Sequence, residues 1–408
     1  MRFHFFHLMS YPHLPSDFTT KYRSVWVDPP NRLFDPKAGH VMYNEYLDEL
    51  EFAAEVGFDS VCVNEHHQNA YGLMPSPNLI ASTLARSTKD VAIAVLGNSI
   101  ALYNPPVRVA EEMAMLDVLS GGRLISGFPI GTSMDTNYCY GLSPAILREK
   151  YYEAHELILK AWTEPDPFIF NGKYTQLRYV NIWPRPLQQP HPPIWIPGGG
   201  SVETWAWTAE RDYLYAYVSF SGYKHAERVL QGYWETCDQL GVDRNPYRAA
   251  FVQICAVGET DAEAEELYAE HLEYLYQKSL HINPGFADAP GYRTIKSIEA
   301  GLAHGFGRGT QEARSHSWKD FMDSGILVAG SPATVRDQLR DVVKRLGLGH
   351  LLVLLQFGNM PKEKALHSTR LFATEVAPQL REEFSFPEWE DRWYPKTLVS
   401  EEPAGLAR

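Results

Sequence analysis

The chain has 408 residues, 45% of them hydrophobic and 21% charged, the balance of an ordinary globular protein. A net charge of −13 argues against nucleic acid and anionic membrane surfaces as partners, and no stretch approaches the roughly 18 apolar residues of a membrane span. Cys62, Cys139, Cys237 and Cys255 are scattered, with no Cys-x-x-Cys pair, and read as reduced thiols of a cytoplasmic protein.

Residues 2–9 read as a first strand, too short and too rich in histidine for a signal peptide. Residues 10–41 hold several prolines and aromatics and read as a long irregular loop, of the kind that serves as a lid. Apolar residues at helical spacing from Tyr43 to Val56 predict a helix closed by Gly57. A second strand, Val61-Cys62-Val63, ends abruptly in Asn64-Glu65-His66-His67. Ser76 and Pro77 fit an N-cap and first-turn proline for a helix over 77–87.

Residues 91–96 predict strand three, 106–119 a helix, and 123–128 strand four. Ser143-Pro144 opens a further helix with Ile146, Tyr151, Leu157, Ile158 and Trp162 on its buried stripe. Residues 165–192 read as a small hairpin excursion around Asn171-Gly172. Strand five, 193–196, runs into Pro197-Gly198-Gly199-Gly200-Ser201 and a helix. Strands follow near 213–218 and 250–257, then an acidic helix over 260–280. Residues 283–330 read as a Gly-rich loop and second candidate lid. A helix from Ser331-Pro332, a strand at 349–355 and a helix over 362–376 complete the chain before a polar tail. Strict strand–helix alternation predicts a parallel sheet, and eight units favour an α/β fold closed as a (β/α)8 TIM-type barrel. The expected organisation is one domain over 1–408, with insertions at about 10–41, 165–192 and 283–330.

Barrel chemistry collects at the carboxyl ends of strands. Glu65 and His66 stand there as the catalytic candidates, with His66 facing the barrel mouth as a general acid or base. A metal site is disfavoured, because neighbouring strand residues His66 and His67 point to opposite faces. Asn98-Ser99 follows strand three and Gly131-Thr132-Ser133 follows strand four. Gly198-Gly199-Gly200-Ser201 opens a helix, where free N–H groups and close backbone approach make an anion cradle. Arg148, beside Tyr151 and Tyr152, is a candidate bidentate phosphate partner.

Several runs, in one order along most of the chain, carry a resemblance. They are Gly57-Phe58-Asp59-Ser60 with Glu65-His66-His67, Gly72 and Pro77, then 106–112 with 116–123, then 192–201, then 330–335. Together they resemble the bacterial luciferase-like flavin monooxygenases. The resemblance implies a (β/α)8 barrel that binds FMN, or in some branches the deazaflavin F420. It implies reduced FMN supplied by a partner flavin reductase, oxygen adding to it as a C4a-(hydro)peroxide, and oxygenation of a small organic substrate. It matches His66 to the catalytic histidine. Asn98 and Ser99 match the ring-contacting end of strand three, often the place of a cis non-proline bond. Arg148 matches the phosphate-binding arginine, and Gly199, Gly200 and Ser201 the phosphate loop. Gly131 and Tyr152 are counted with the cofactor contacts. A homodimer or higher oligomer, through helices beside strands two and three, is a further family expectation. Pro129-Ile130 stands where bacterial luciferase has a reactive cysteine and an arginine, so a luciferase-type thiol role and light emission are not expected. The alternatives are an F420-dependent hydride-transfer enzyme, a non-catalytic flavin-binding protein, and a metal-dependent barrel hydrolase.

Overall fold

The structure, a computed structural model, describes residues 1–131, 134–287, 291–304 and 312–398. Eight strands close a parallel barrel: β1 (Arg2–Phe6), β2 (Ser60–Val63), β3 (Ala92–Leu96), β4 (Leu124–Gly127), β7 (Ile194–Gly198), β8 (Leu214–Tyr217), β9 (Ala249–Val257) and β11 (His350–Leu354). Every pairing around the ring is parallel, and β11 returns to β1 with Arg2 opposite His350. These strands are mostly apolar because both faces are covered, one by the barrel interior and one by helices, with His4, Ser60, Ser126, Gln253 and His350 as buried polar exceptions. β3, Ala-Ile-Ala-Val-Leu, is buried along its whole length.

The covering helices are α2 (Pro36–Glu55), α3 (Pro77–Ser87), α4 (Val107–Ser120), α6 (Pro144–Thr163), α7 (Val202–Glu210), α8 (Tyr223–Leu240), α9 (Asp261–Tyr274), and those that follow β10 (Leu327–Gly330) and β11. Their ends obey local chemistry. Asp35 caps α2 by accepting from the Lys37 N–H at 2.8 Å, and Gly121 closes α4 in the left-handed region at φ 72°.

Four expectations are corrected. The segment 10–41 is not loop throughout: it holds the short helix α1 (Phe18–Lys21), and α2 begins at Pro36, before Tyr43, since an aspartate cap and first-turn proline outweigh the weak apolar pattern there. The segment 283–330 is not loop either. It carries α10 (Pro284–Ala287), α11 (Ile295–His304), α12 (Trp318–Asp323) and the strand β10, which pairs with the outer half of β9 at Leu327↔Ile254 to Gly330↔Val257. A short helix, α5 (Met134–Cys139), occupies part of the β4 exit, while Thr132 and Ser133 lie outside the described residues. The described part of the C-terminal tail is anchored: Trp393 and Tyr394 are 2% and 4% exposed. The Trp195 indole donates to the Trp393 carbonyl at 2.8 Å, Trp393 donates to Asp212 O at 2.6 Å, and Tyr394 donates to Asp59 O at 2.6 Å. Because Asp59 and Asp212 precede β2 and β8, this segment stops the amino-terminal end of the barrel. The opposite end is left for chemistry. The hairpin β5 (Phe168–Asn171) with β6 (Gln176–Val180) stands between α6 and β7 as read from Asn171-Gly172.

Candidate functional site at the carboxyl end of the barrel

A cavity of about 410 Å³ opens where β1, β2, β3, β4, β7 and β8 end. Glu65, His66, Ser99, Gly131, Gly199, Gly200 and Ser201 all reach its wall. Both long connections contribute as well, through Trp26 on one and Tyr292 on the other. The two histidines diverge, although both lie beyond the end of β2 and outside its alternation.

On one side, the His66 Nδ1 lies 2.9 Å from Asp135 Oδ2, and the Tyr71 ring meets the imidazole edge-on at 4.5 Å between centroids. A carboxylate only accepts, so Nδ1 carries the hydrogen of this bond and Nε2 is the ring nitrogen left facing away from Asp135. His67 turns away, donating from Nε2 to Glu65 Oε1 at 2.6 Å.

Glu65 is tied down. Its Oε2 accepts from the Ser99 N–H at 2.8 Å and from Asn98 Nδ2 at 3.4 Å, and Oε1 accepts from Tyr103 at 3.3 Å besides His67. The carboxylate therefore laces the end of β2 to the end of β3. Asn98 is fully buried in this cluster and does not reach the cavity wall. At the same strand end the cis peptide bond is Leu96–Gly97, earlier than the expected Asn98-Ser99. A Cβ at Gly97 would lie 2.0 Å from Gly127 O, so only glycine fits between these two strand ends.

The other end of the cavity is the β7–α7 junction. Gly200 has φ 97°, which any side chain would strain, and Ser201 is the N-cap of α7 without a capping hydrogen bond. Arg148, one turn into α6, crosses to this point. Its Nη2 donates to Ser201 Oγ at 2.9 Å and to Tyr292 Oη at 3.0 Å, while Nε and Nη1 are buried and make no hydrogen bond among the described residues. Burial works against the guanidinium charge, but Tyr292, Tyr152 and Glu203 outweigh it and the pKa rises. Two idle donors beside a helix N-terminus fit an anion larger than the present partners. Tyr152 stands aside from the cavity wall, stacked on Trp207 at 5.3 Å.

Sequence reading did not single out Asp135, Glu203 or Tyr292. α5 is too short for a periodic signal, Glu203 looks like any first-turn acid, and Tyr292 lay in an apparent loop. The neighbouring Ser-x-Glu pattern after the glycines was the one usable hint. Among the described residues no cluster of three or more His, Cys, Asp or Glu could hold a metal ion. No helix described is long and apolar enough to cross a membrane.

A parallel eight-stranded barrel with an imidazole–carboxylate pair and a glycine-rich helix start at the carboxyl ends of its strands defines a (β/α)8 barrel with its candidate site where such barrels place their chemistry. A sequence model described as luciferase-like monooxygenase matches residues 24–350. The chain belongs to the luciferase-like monooxygenase family, and so to a class of oxygen-incorporating flavin enzymes. Limonene 1,2-monooxygenase of Rhodococcus erythropolis is 26% identical over 341 residues, covering 81% of this chain and 80% of the relative. Among solved structures, the FMN complex of the oxygenating constituent of 3,6-diketocamphane monooxygenase from Pseudomonas putida aligns with a TM-score of 0.70 and 19% identity, covering 93% of this chain and 98% of that one. An F420-dependent secondary alcohol dehydrogenase aligns at 0.63 and 18%, covering 93% and 99%, so the fold is shared by both cofactor types.

Proposed function

We propose that the chain is the oxygenase component of a two-component monooxygenase, a single barrel domain with insertions, which takes reduced FMN from a separate reductase and oxygenates a small organic substrate. The observation that carries this reading is one continuous cavity with the His66 imidazole at one end and, at the other, Ser201 and Tyr292, behind which Arg148 bonds to both and keeps Nε and Nη1 unpartnered among the described residues. The residues present fit the flavin. Arg148, Ser201 and the Gly199–Gly200 backbone would hold its phosphate, and the Ser99 and Gly131 strand ends would meet its ring system. Bound reduced FMN would supply oxygen activation.

The chain's own groups do the rest. His66, held by Asp135, presents Nε2 to accept and return a proton. Glu65 holds the β2 and β3 ends together through the four donors on its carboxylate. Trp26, Tyr71 and Phe220 give the cavity apolar walls that exclude water and suit an apolar substrate.

Sequence kinship over most of the chain is with a monooxygenase, whereas likeness to the F420 enzyme lies in the fold, and this favours oxygenation over hydride transfer. A homodimer through α3 and α4 accounts for Leu79, Met115, Val118 and Leu119 standing exposed on those two adjoining helices.

The test is a pair of anaerobic titrations, with reduced FMN and with reduced F420, followed by labelled oxygen and a panel of cyclic ketones and terpenes. Tight binding of reduced FMN and label in an organic product are expected. Preference for F420 with no label incorporated would replace oxygenation by hydride transfer.

A further inference from the structure

The cradle at the β7–α7 junction already holds an anion from the chain itself. Glu203, in the first turn of α7, accepts at Oε2 from Ser201 Oγ at 2.6 Å and from Ser297 Oγ at 2.6 Å, and at Oε1 from Thr294. The same Oε2 is 3.9 Å from Arg148 Nη2. Three hydroxyls from two segments, with a guanidinium behind them, make a donor set suited to an oxyanion. Thr294 and Ser297 come from the start of α11, 91 and 94 residues further along the chain.

Ordinary helix capping does not explain this arrangement. A capping serine accepts from a backbone N–H of its own helix, whereas Ser201 makes no such bond and spends its hydrogen on the Glu203 carboxylate. A serine hydroxyl has one hydrogen. A phosphate that bonds to Ser201 must take that hydrogen from Glu203, and the two anions would then crowd one guanidinium.

We propose that Glu203 is a resident stand-in for the flavin phosphate: its carboxylate occupies the donors of the cradle, lowers affinity for a phosphomonoester, and on displacement releases Thr294 and Ser297 of α11 to the incoming phosphate. This rests on the reading of Arg148 and Ser201 as the phosphate site. Glu203 is accordingly a specificity-determining residue for the anionic tail of the cofactor and leaves the ring end untouched. Its charge is firmly held. Although burial pushes the other way, the Ser201, Ser297 and Thr294 hydroxyls keep its pKa at about 2, so the competition operates throughout the neutral range.

The test uses the full chain and anaerobic calorimetric titration with reduced FMN and reduced riboflavin. Glu203→Gln keeps the shape and an accepting oxygen for the hydroxyls. It is expected to tighten FMN roughly tenfold, as removal of a like charge from a binding site does, and to leave riboflavin unchanged. Glu203→Asp is expected to bind FMN as the wild type does. In wild-type protein, FMN and not riboflavin is expected to alter hydrogen exchange in peptides covering 292–299. Unchanged or weaker FMN binding in Glu203→Gln, with Arg148→Ala still selectively losing FMN, would overturn the stand-in role and leave the phosphate site intact. If Arg148→Ala weakens FMN and riboflavin equally, the phosphate site is elsewhere and the inference falls with it.

Discussion

His66 Nδ1 and Asp135 Oδ2 stand 2.9 Å apart although 69 residues separate them in the chain. The bond joins the end of β2 to α5, and its acceptor is completely buried while the imidazole stays 18% exposed at the cavity. Asp135 also accepts from Asn69 Nδ2 at 3.0 Å, which fixes the carboxylate from a second direction. A histidine held at Nδ1 by a buried carboxylate presents Nε2 in one orientation and one tautomer.

His66→Ala is expected to lower product formation by roughly 10²–10⁴, the range for a lost general acid or base, with FMN affinity nearly unchanged. Asp135→Asn keeps the size and an accepting oxygen but loses the charge and gains an N–H that lets Nδ1 accept instead, and should lose about a hundredfold in kcat with little change in substrate KM. Product yield per flavin consumed, by mass spectrometry, is the measurement. Wild-type yield from His66→Ala would remove this residue from the chemistry.

At the β7–α7 junction, Arg148→Ala should weaken FMN by about 10- to 100-fold, the worth of charge-assisted hydrogen bonds to one anion. Riboflavin, which lacks the phosphate, should bind as before. Ser201→Ala should show the same selectivity at smaller amplitude, because it removes one neutral donor. Equal losses for both flavins would move the phosphate away from α7.

Gly97→Ala should destabilise the barrel by roughly 3 kcal/mol or more, because the new methyl would meet the Gly127 carbonyl at 2.0 Å and neither strand end can retreat. Gly199→Ala is the control, with nothing within 4 Å of its added Cβ. Denaturant midpoints of the two variants decide the matter. Equal stability would mean that β3 and β4 part more easily than their backbone packing implies.

Acid should weaken the fold through histidines kept neutral by burial. Burial drives His7 and His155 down to about 3. Met9 N–H donates to His7 Nδ1 at 2.9 Å, so Nε2 bears the hydrogen and gives it to Glu49, while His155 Nε2 is 3.0 Å from the Tyr213 hydroxyl. Below the ordinary histidine value of about 6.5 the unfolded chain takes up protons that the folded chain refuses. Stability is therefore fully present above that pH and is lost as pH falls from there toward 3, by about 1 kcal/mol per histidine per pH unit. Urea unfolding at pH 7 and pH 5 should show a smaller difference for His155→Gln than for the wild type. An identical difference would mean that His155 protonates without unfolding.

Much of the barrel was written locally. Runs such as Val61-Cys62-Val63 and Ala92–Leu96 are strands because a doubly covered parallel sheet needs apolar side chains on both faces, and that demand shows in any short window. The glycine run before Ser201 was legible for a similar reason, since positive φ at Gly200 and close backbone approach exclude side chains whatever surrounds them. β10 escaped because four residues, Leu-Val-Ala-Gly, carry no period of their own and become a strand only beside β9.

The site divides along the same line. The eight-strand alternation, the acid–imidazole end of β2 and the glycine cradle are all written in short windows, because they rest on steric and burial rules acting within about ten residues. That Asp135 holds His66, that Glu65 is locked by Ser99 and Tyr103, and that Glu203 meets Thr294 and Ser297 emerges from the folded barrel alone. Those pairs join different spokes of a closed ring. Which hydroxyl meets which carboxylate depends on the closure and register of the strands, and no local pattern encodes that.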